Sequence, residues 1–267
     1  MFKHKKPAVI IGVVAAAVIF LVNYARHNYV LPILMYHSVK QKVPPGNRLT
    51  VSSGTFERQM EFLKRNRYAV VPLEEAVRLV KDKQAPPART VAITFDDGYG
   101  DNYTEAFPIL KKYNLLATIF IIVNEIGQPG MLTWEQIHIM QDSGLISFGS
   151  HTLNHPYLVK IDSLEALKSE LFDSKKIMEK ELSRPVNTFC YPSGRFNQKV
   201  RQVVVDAGYT AAVASNPGKN FPSDDIFALK RLRISENSSN LFIFWVESSG
   251  YYNMMRESKR KSRGKGY

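Results

Sequence analysis

Three polar clusters in this sequence stand directly behind apolar runs. Asp96, Asp97 and Gly98 follow VAITF, the segment His151 to His155 follows LISFGS, and Tyr191, Pro192, Ser193 and Gly194 follow NTFC. Two imidazoles and one carboxylate are a common ligand set for a catalytic zinc, because three protein ligands leave a coordination position for water. His151 and His155 are spaced to meet on one turn, although an H-x3-H pair taken alone also describes capping or surface histidines. The chain has six histidines, and two of them share this one loop. An Asp-Asp-Gly triplet is by itself an ordinary solvated turn. Placed at the edge of an apolar strand, however, two adjacent carboxylates repel each other and lose hydration, and a bound cation relieves that repulsion. The single cysteine, Cys190, excludes an intramolecular disulfide framework and reads as a buried strand thiol.

Residues so far apart meet only if the chain brings the ends of several strands to one face. Apolar, β-branched runs alternate with helical patterns as far as Ile234, the rhythm of a largely parallel α/β sheet or barrel whose carboxyl ends converge. The runs predict strands at Ile33–Tyr36, Ala69–Val71, Val91–Phe95, Ala117–Val123, Leu145–Phe148, Thr188–Tyr191 and Ala211–Ala214. Helices are predicted at Phe56–Asn66, Leu73–Lys81, Tyr103–Tyr113, Trp134–Asp142, Leu164–Leu182 and Gln198–Ala207. In the longest, Leu164, Leu167, Leu171, Met178 and Leu182 form a core stripe, and Asp162 with Glu165 resembles a capping box.

With 267 residues and 45% apolar content the chain is long enough to bury one sizeable core. Its formal charge of +12 favours anionic surfaces, among them nucleic acid, acidic lipid and anionic wall polymers. Lys3, Lys5 and Lys6 precede the uncharged run Ala8–Val22, which reads as a transmembrane signal anchor with its amino end in the cytoplasm. Asn23 stands where a signal peptidase site ending at Ala25 would want a small residue, so an uncleaved anchor is favoured over secretion after cleavage. The expected organisation is therefore a basic stub and anchor over 1–25, an extracytoplasmic domain over 26–255, and a basic, solvated tail over 256–267 that touches anionic wall polymers. Nucleic acid is a poor partner for a tail outside the membrane.

TFDDGY at Thr94–Tyr99, SHTLNHP at Ser150–Pro156 and YPSG at Tyr191–Gly194 resemble the successive motifs of the polysaccharide deacetylase family, also called NodB homology or carbohydrate esterase family 4. LMYHSV at Leu34–Val39, ATIFII at Ala117–Ile122, LTWEQI at Leu132–Ile137 and LKRLRI at Leu229–Ile234 resemble the branch that acts on exported or cell-wall polysaccharide. The resemblance spans Ile33 to Ile234. It implies a distorted (β/α) barrel, here of about seven parallel strands behind the N-terminal transmembrane helix. Carried over by position, it makes Asp97, His151 and His155 the metal ligands and Asp96 the catalytic base, with the backbone N–H at Tyr191 holding the oxyanion and Thr152 supporting the histidine loop. The implied cofactor is a divalent metal, zinc by default, with Co, Ni or Fe also compatible with His2Asp. The implied reaction is hydrolysis of N-acetyl groups on N-acetylglucosamine units of peptidoglycan or poly-N-acetylglucosamine.

Two positions depart from the wider pattern. An arginine that braces the catalytic aspartate in many members is replaced by Thr188, leaving Arg231 or Arg233 as substitutes. A late Leu-x-His motif is absent, since no histidine follows His155. His37 directly follows the strand ILMY and should face the same rim, so it is the candidate general acid, or else a histidine that merely orients the loop. These departures also sustain a different reading, an impaired barrel acting as a polysaccharide-binding scaffold at the wall.

Overall fold

The computed structural model describes residues 12–20, 30–84, 86–215 and 225–252. Strands β1 (Ile33–Tyr36), β5 (Thr90–Phe95), β6 (Ala117–Ile121), β7 (Ile146–Ser150), β8 (Thr188–Cys190) and β9 (Ala211–Ala214) are buried almost throughout. Burial on both faces explains why they read as continuous apolar runs instead of alternating ones. Together with β4 (Ala69–Val70), β10 (Leu229–Lys230) and β11 (Leu232–Arg233) they form a nine-stranded sheet. Every pairing in it is parallel. The order is β10-β9-β8-β7-β6-β5-β1-β11, with β4 paired to β5 off this path. The two end strands are separated in the chain by Arg231 alone, so the sheet comes round on itself as a nearly closed barrel. A small parallel pair, β2 (Ser38–Lys40) and β3 (Thr50–Ser52), follows β1.

All seven predicted strands are present; β2, β3, β10 and β11 are additions. Helices α2 (Ser53–Arg65), α3 (Leu73–Lys81), α5 (Trp134–Asp142) and α8 (Gln198–Asp206) match their predicted places to within a few residues, and α9 (Leu241–Ser248) was not anticipated. Two predicted helices contain π turns. One comprises a π turn at Asn102–Ala106 followed by α4 (Phe107–Tyr113). The other divides into α6 (Leu164–Lys168), a π turn at Ser169–Asp173 and α7 (Ser174–Leu182). Leu167, Leu171, Met178 and Leu182 are core residues, whereas Leu164 is 47% exposed. The N-cap is Ser163, whose Oγ accepts from the Ala166 N–H, and not Asp162. Residues 12–20 are helical and exposed (α1). No helix among the described residues is long and apolar enough to cross a membrane. The rest of the run Ala8–Val22, and the basic tail over 256–267, lie outside the described residues.

The barrel registers set the site. Tyr36 pairs with Phe95, Phe95 with Ile119, Ile121 with Ser150, and Cys190 with Val213. The ladder then continues one residue past the strand ends: Asp96 N–H donates to Tyr36 O at 3.0 Å, His151 N–H to Ile121 O at 2.9 Å and Tyr191 N–H to Val213 O at 3.1 Å. His37, Asp96, His151 and Tyr191 therefore occupy one rim. Beneath it, β7 passes so close to its neighbours that a Cβ at Gly149 would sit 2.5 Å from the Phe120 ring and 2.6 Å from Thr188 Oγ1. Only glycine fits there.

Candidate active site

At the centre of the rim Asp96 meets a guanidinium. Arg231 Nη1 donates to Asp96 Oδ1 and Nη2 to Asp96 Oδ2, each at 2.6 Å. Nη1 also donates to Thr94 Oγ1 at 3.1 Å, Nη2 lies 3.0 Å from Cys190 Sγ, and the guanidinium rests 5.5 Å from the Phe120 ring centroid. Both partners are buried. Burial by itself pushes the Asp96 carboxyl up, but the charge and hydrogen bonds of Arg231 outweigh it and hold the group far below the usual carboxylate range. Of the two arginines left open by sequence, Arg231 braces Asp96, while Arg233 is exposed. Thr188, where the wider family places its arginine, has a buried Oγ1 without a partner among the described residues.

Asp97, His151 and His155 each offer a ligand atom, all within 4.8 Å of one another. Asp97 Oδ1 lies 3.5 Å from His151 Nε2 and 3.9 Å from His155 Nε2. The His151 ring is fixed by its other nitrogen, because Nδ1 sits 2.8 Å from Cys190 O; a donated proton there leaves Nε2 free as a ligand, the usual orientation of a metal-bound imidazole. Burial opposes a charged His151, yet Cys190 and the Asp97 carboxylate raise its pKa well above the ordinary value, so a proton satisfies the same negative charge that a cation would. His155 is lowered by burial and by His151. The donor set fits a divalent metal. A second triad, Asp96, His151 and Cys190, is equally compact, but Arg231 already supplies its positive charge.

Three non-glycine residues of this centre hold the left-handed backbone region: Asp97 at φ 73°, Thr152 at φ 74° and His155 at φ 55°. Such conformations cost energy, and here local hydrogen bonds maintain them. Thr152 Oγ1 accepts from the His155 N–H at 2.9 Å, which curls the loop and brings the second imidazole over the first, with ring centroids 4.7 Å apart.

His37 Nε2 stands 3.9 Å from Asp96 Oδ2. Its Nδ1 is buried without a partner among the described residues, so Nε2 is the ring nitrogen that faces the carboxylates. Burial lowers its pKa, and the pull of Asp96 and Asp97 does not reverse this. Tyr191 requires a correction: its N–H is committed to Val213 O and its hydroxyl to Phe227 O at 3.0 Å, so neither is available to an oxyanion. Two residues on, Ser193 adopts φ 56° and is exposed. The positive φ demanded by the turn is not legible in YPSG.

A model of the family described as polysaccharide deacetylase matches residues 83–212. Bacillus subtilis YxkH, whose name as a polysaccharide deacetylase is itself provisional, is 39% identical over 220 residues, covering 82% of this chain and 76% of that one. The poly-beta-1,6-N-acetyl-D-glucosamine N-deacetylase of Staphylococcus epidermidis is 27% identical over 234 residues, covering 79% of this chain and 81% of the relative. Among solved structures, the Streptococcus pyogenes deacetylase PplD in complex with acetate superimposes with a TM-score of 0.72 at 33% identity, covering 78% of this chain and 93% of that one. With its parallel barrel and rim of carboxylates and histidines, this chain belongs to the polysaccharide deacetylase family, and to its branch with exported and wall polysaccharide deacetylases. It is a deacetylase by class.

Proposed function

We propose that the chain removes N-acetyl groups from N-acetylglucosamine units of an exported or cell-wall polysaccharide, with zinc held by Asp97, His151 and His155. One observation carries the reading: beside the three-ligand set stands a second carboxylate, Asp96, that Arg231 keeps ionised and aimed. A scaffold would have no use for that buried pair. When bound, the ion supplies Lewis acidity that activates water and polarises the acetyl carbonyl.

The remaining steps fall to the protein. Asp96 uses a lone pair not engaged by Arg231 to accept a proton from the attacking water. Its depressed pKa makes it a transient holder, and His37 Nε2 at 3.9 Å is placed to take the proton on and deliver it to the leaving amine. The C–N bond breaks, giving acetate and a free amine on the sugar. Ser193 N–H is assigned as the backbone donor to the oxyanion in place of Tyr191.

The name of the staphylococcal relative supports a poly-N-acetylglucosamine substrate, with peptidoglycan as the other polymer to be tested. The apolar run Ala8–Val22 supports a single-pass protein with its catalytic domain outside the cytoplasm, and the basic tail supports contact with anionic wall polymers. The full chain incubated with each polymer should release acetate, lose this activity to a chelator and regain it with zinc. A metal-loaded chain that releases no acetate from either polymer would return the barrel to a binding role.

A further inference from the structure

The loop that carries both histidines is held from outside the barrel by one carboxylate. Glu170 Oε2 accepts from the backbone N–H of Leu153 at 3.0 Å and of Asn154 at 3.1 Å, and Oε1 accepts from Asn154 Nδ2 at 2.7 Å. Asn154 Oδ1 in turn accepts from Asn124 Nδ2 at 2.7 Å, and the N–H groups of Val123 and Asn124 donate to Thr152 O and Leu153 O. The segment between the two histidines is thus clamped on one side by the chain leaving β6 and on the other by Glu170. That clamp stands against a loop whose Thr152 and His155 occupy an unfavourable backbone region.

The helix that presents Glu170 is built for this reach. Buried positions Leu167, Leu171, Ser174, Met178 and Leu182 run through four steps in fifteen residues, where four turns of an ideal helix take about 14.4. The wider π turn at Ser169–Asp173 absorbs the surplus, and Glu170 lies inside it. One turn later Ser174 Oγ donates to Leu171 O and accepts from Ser150 Oγ at 3.0 Å, while Ser150 Oγ accepts the Thr152 N–H at 3.3 Å. Both ends of the strained segment are therefore tied to the same π turn.

We propose that Glu170 is a positioning residue that sets the geometry of the metal-binding histidines: through Leu153 and Asn154 it holds His155 in register with His151 and Asp97. This rests on the three-ligand reading above. A residue that orients ligands without touching the ion typically changes metal affinity by about 10- to 100-fold.

The test uses the full chain as wild type, Glu170→Ala, Glu170→Gln and His155→Ala, stripped of metal and titrated with zinc against a chromophoric chelator and with cobalt followed by its visible absorption. Glu170→Ala should lose about 10- to 100-fold in zinc affinity and show an altered cobalt spectrum, while its metal-free melting temperature stays near wild type. Glu170→Gln keeps one carbonyl acceptor for the loop and should fall between the two. Wild-type zinc affinity and cobalt spectrum in both Glu170 variants overturn the proposal. If Glu170→Ala does not fold, Glu170→Gln decides: weaker zinc binding supports the role, and unchanged binding refutes it. A wild-type chain whose zinc affinity is indifferent to His155→Ala removes the metal-site reading instead, a result that does not depend on either Glu170 variant.

Discussion

Replacing Arg231 by methionine removes the charge but keeps an apolar stem of similar reach in a site with no exposed surface. Among the described residues Asp96 then keeps a thiol at 3.6 Å, the His37 ring at 3.9 Å and the His151 ring within 4.8 Å as polar side-chain neighbours, none of them a fixed cation. Breaking a buried pair by deleting one partner costs about 3–5 kcal/mol, because the remaining charge stays uncompensated. The low-cost escape is protonation of Asp96, and a neutral carboxyl cannot accept the water proton, so turnover should fall about 10²–10⁴-fold. The pH dependence of metal-free stability separates this account from simple loss of packing. In the wild type the folded pKa of Asp96 lies below its unfolded value near 3.9, so its contribution is present above that value and is lost as pH falls through the folded pKa. In Arg231→Met burial raises the folded pKa above the unfolded one, and the sign reverses: the contribution is present below about 3.9 and is lost as pH rises through the raised value. Urea unfolding across that range, with acetate release at neutral pH, measures both effects. The double variant Arg231→Met with Asp96→Leu should regain most of the stability and none of the activity. An Arg231→Met chain that loses less than about 1 kcal/mol, against the 3–5 expected, and turns over at the wild-type rate would refute the reasoning.

Asp96→Asn should bind zinc with wild-type affinity yet lose about 10²–10⁴-fold in turnover, checked by metal titration beside acetate release. His37→Ala should retain metal and fold but turn over more slowly, with a changed alkaline limb in its pH–rate profile; an unaltered profile at full rate returns His37 to a structural part. Gly149→Ala forces a methyl group onto Phe120 and Thr188, both buried, and should destabilise the barrel by about 1–3 kcal/mol in chemical unfolding.

The long parallel strands were legible because burial on both faces leaves an unbroken apolar signature, and β1, β9, α3 and α5 fall at their predicted bounds. The strands β10 and β11 were not legible: they bracket a single arginine, and nothing in LKRLRI distinguishes a seam from a loop. Placement after strands drew attention to the candidate ligands and the family resemblance selected them; the structure brings Asp97, His151 and His155 together. Arg231 and Arg233 were indistinguishable by type; the structure separates them by burial, Arg231 inside the gap between β10 and β11 and Arg233 exposed on β11. Tyr191 was misread because a motif names a residue without saying whether its N–H is already spent in a ladder. Glu170 was invisible because one residue's shift in a helical stripe falls inside the tolerance with which such stripes are counted.

The single-residue gap between β10 and β11 ties closing the barrel to charging the Asp96 carboxylate. Arg231 N–H donates to Ala214 O on the β9 side while β11 pairs with β1, and the side chain of that same residue reaches inward to Asp96. During synthesis from the amino end, Asp96, Asp97, His151 and His155 are all translated well before position 231. Until that residue docks, Asp96 lacks its guanidinium partner, and burial favours its protonated form. On the proposed mechanism the fold thus carries its own safety catch: a half-wound barrel holding Asp97, His151 and His155 would stay inert until the last turn of chain brings in Arg231.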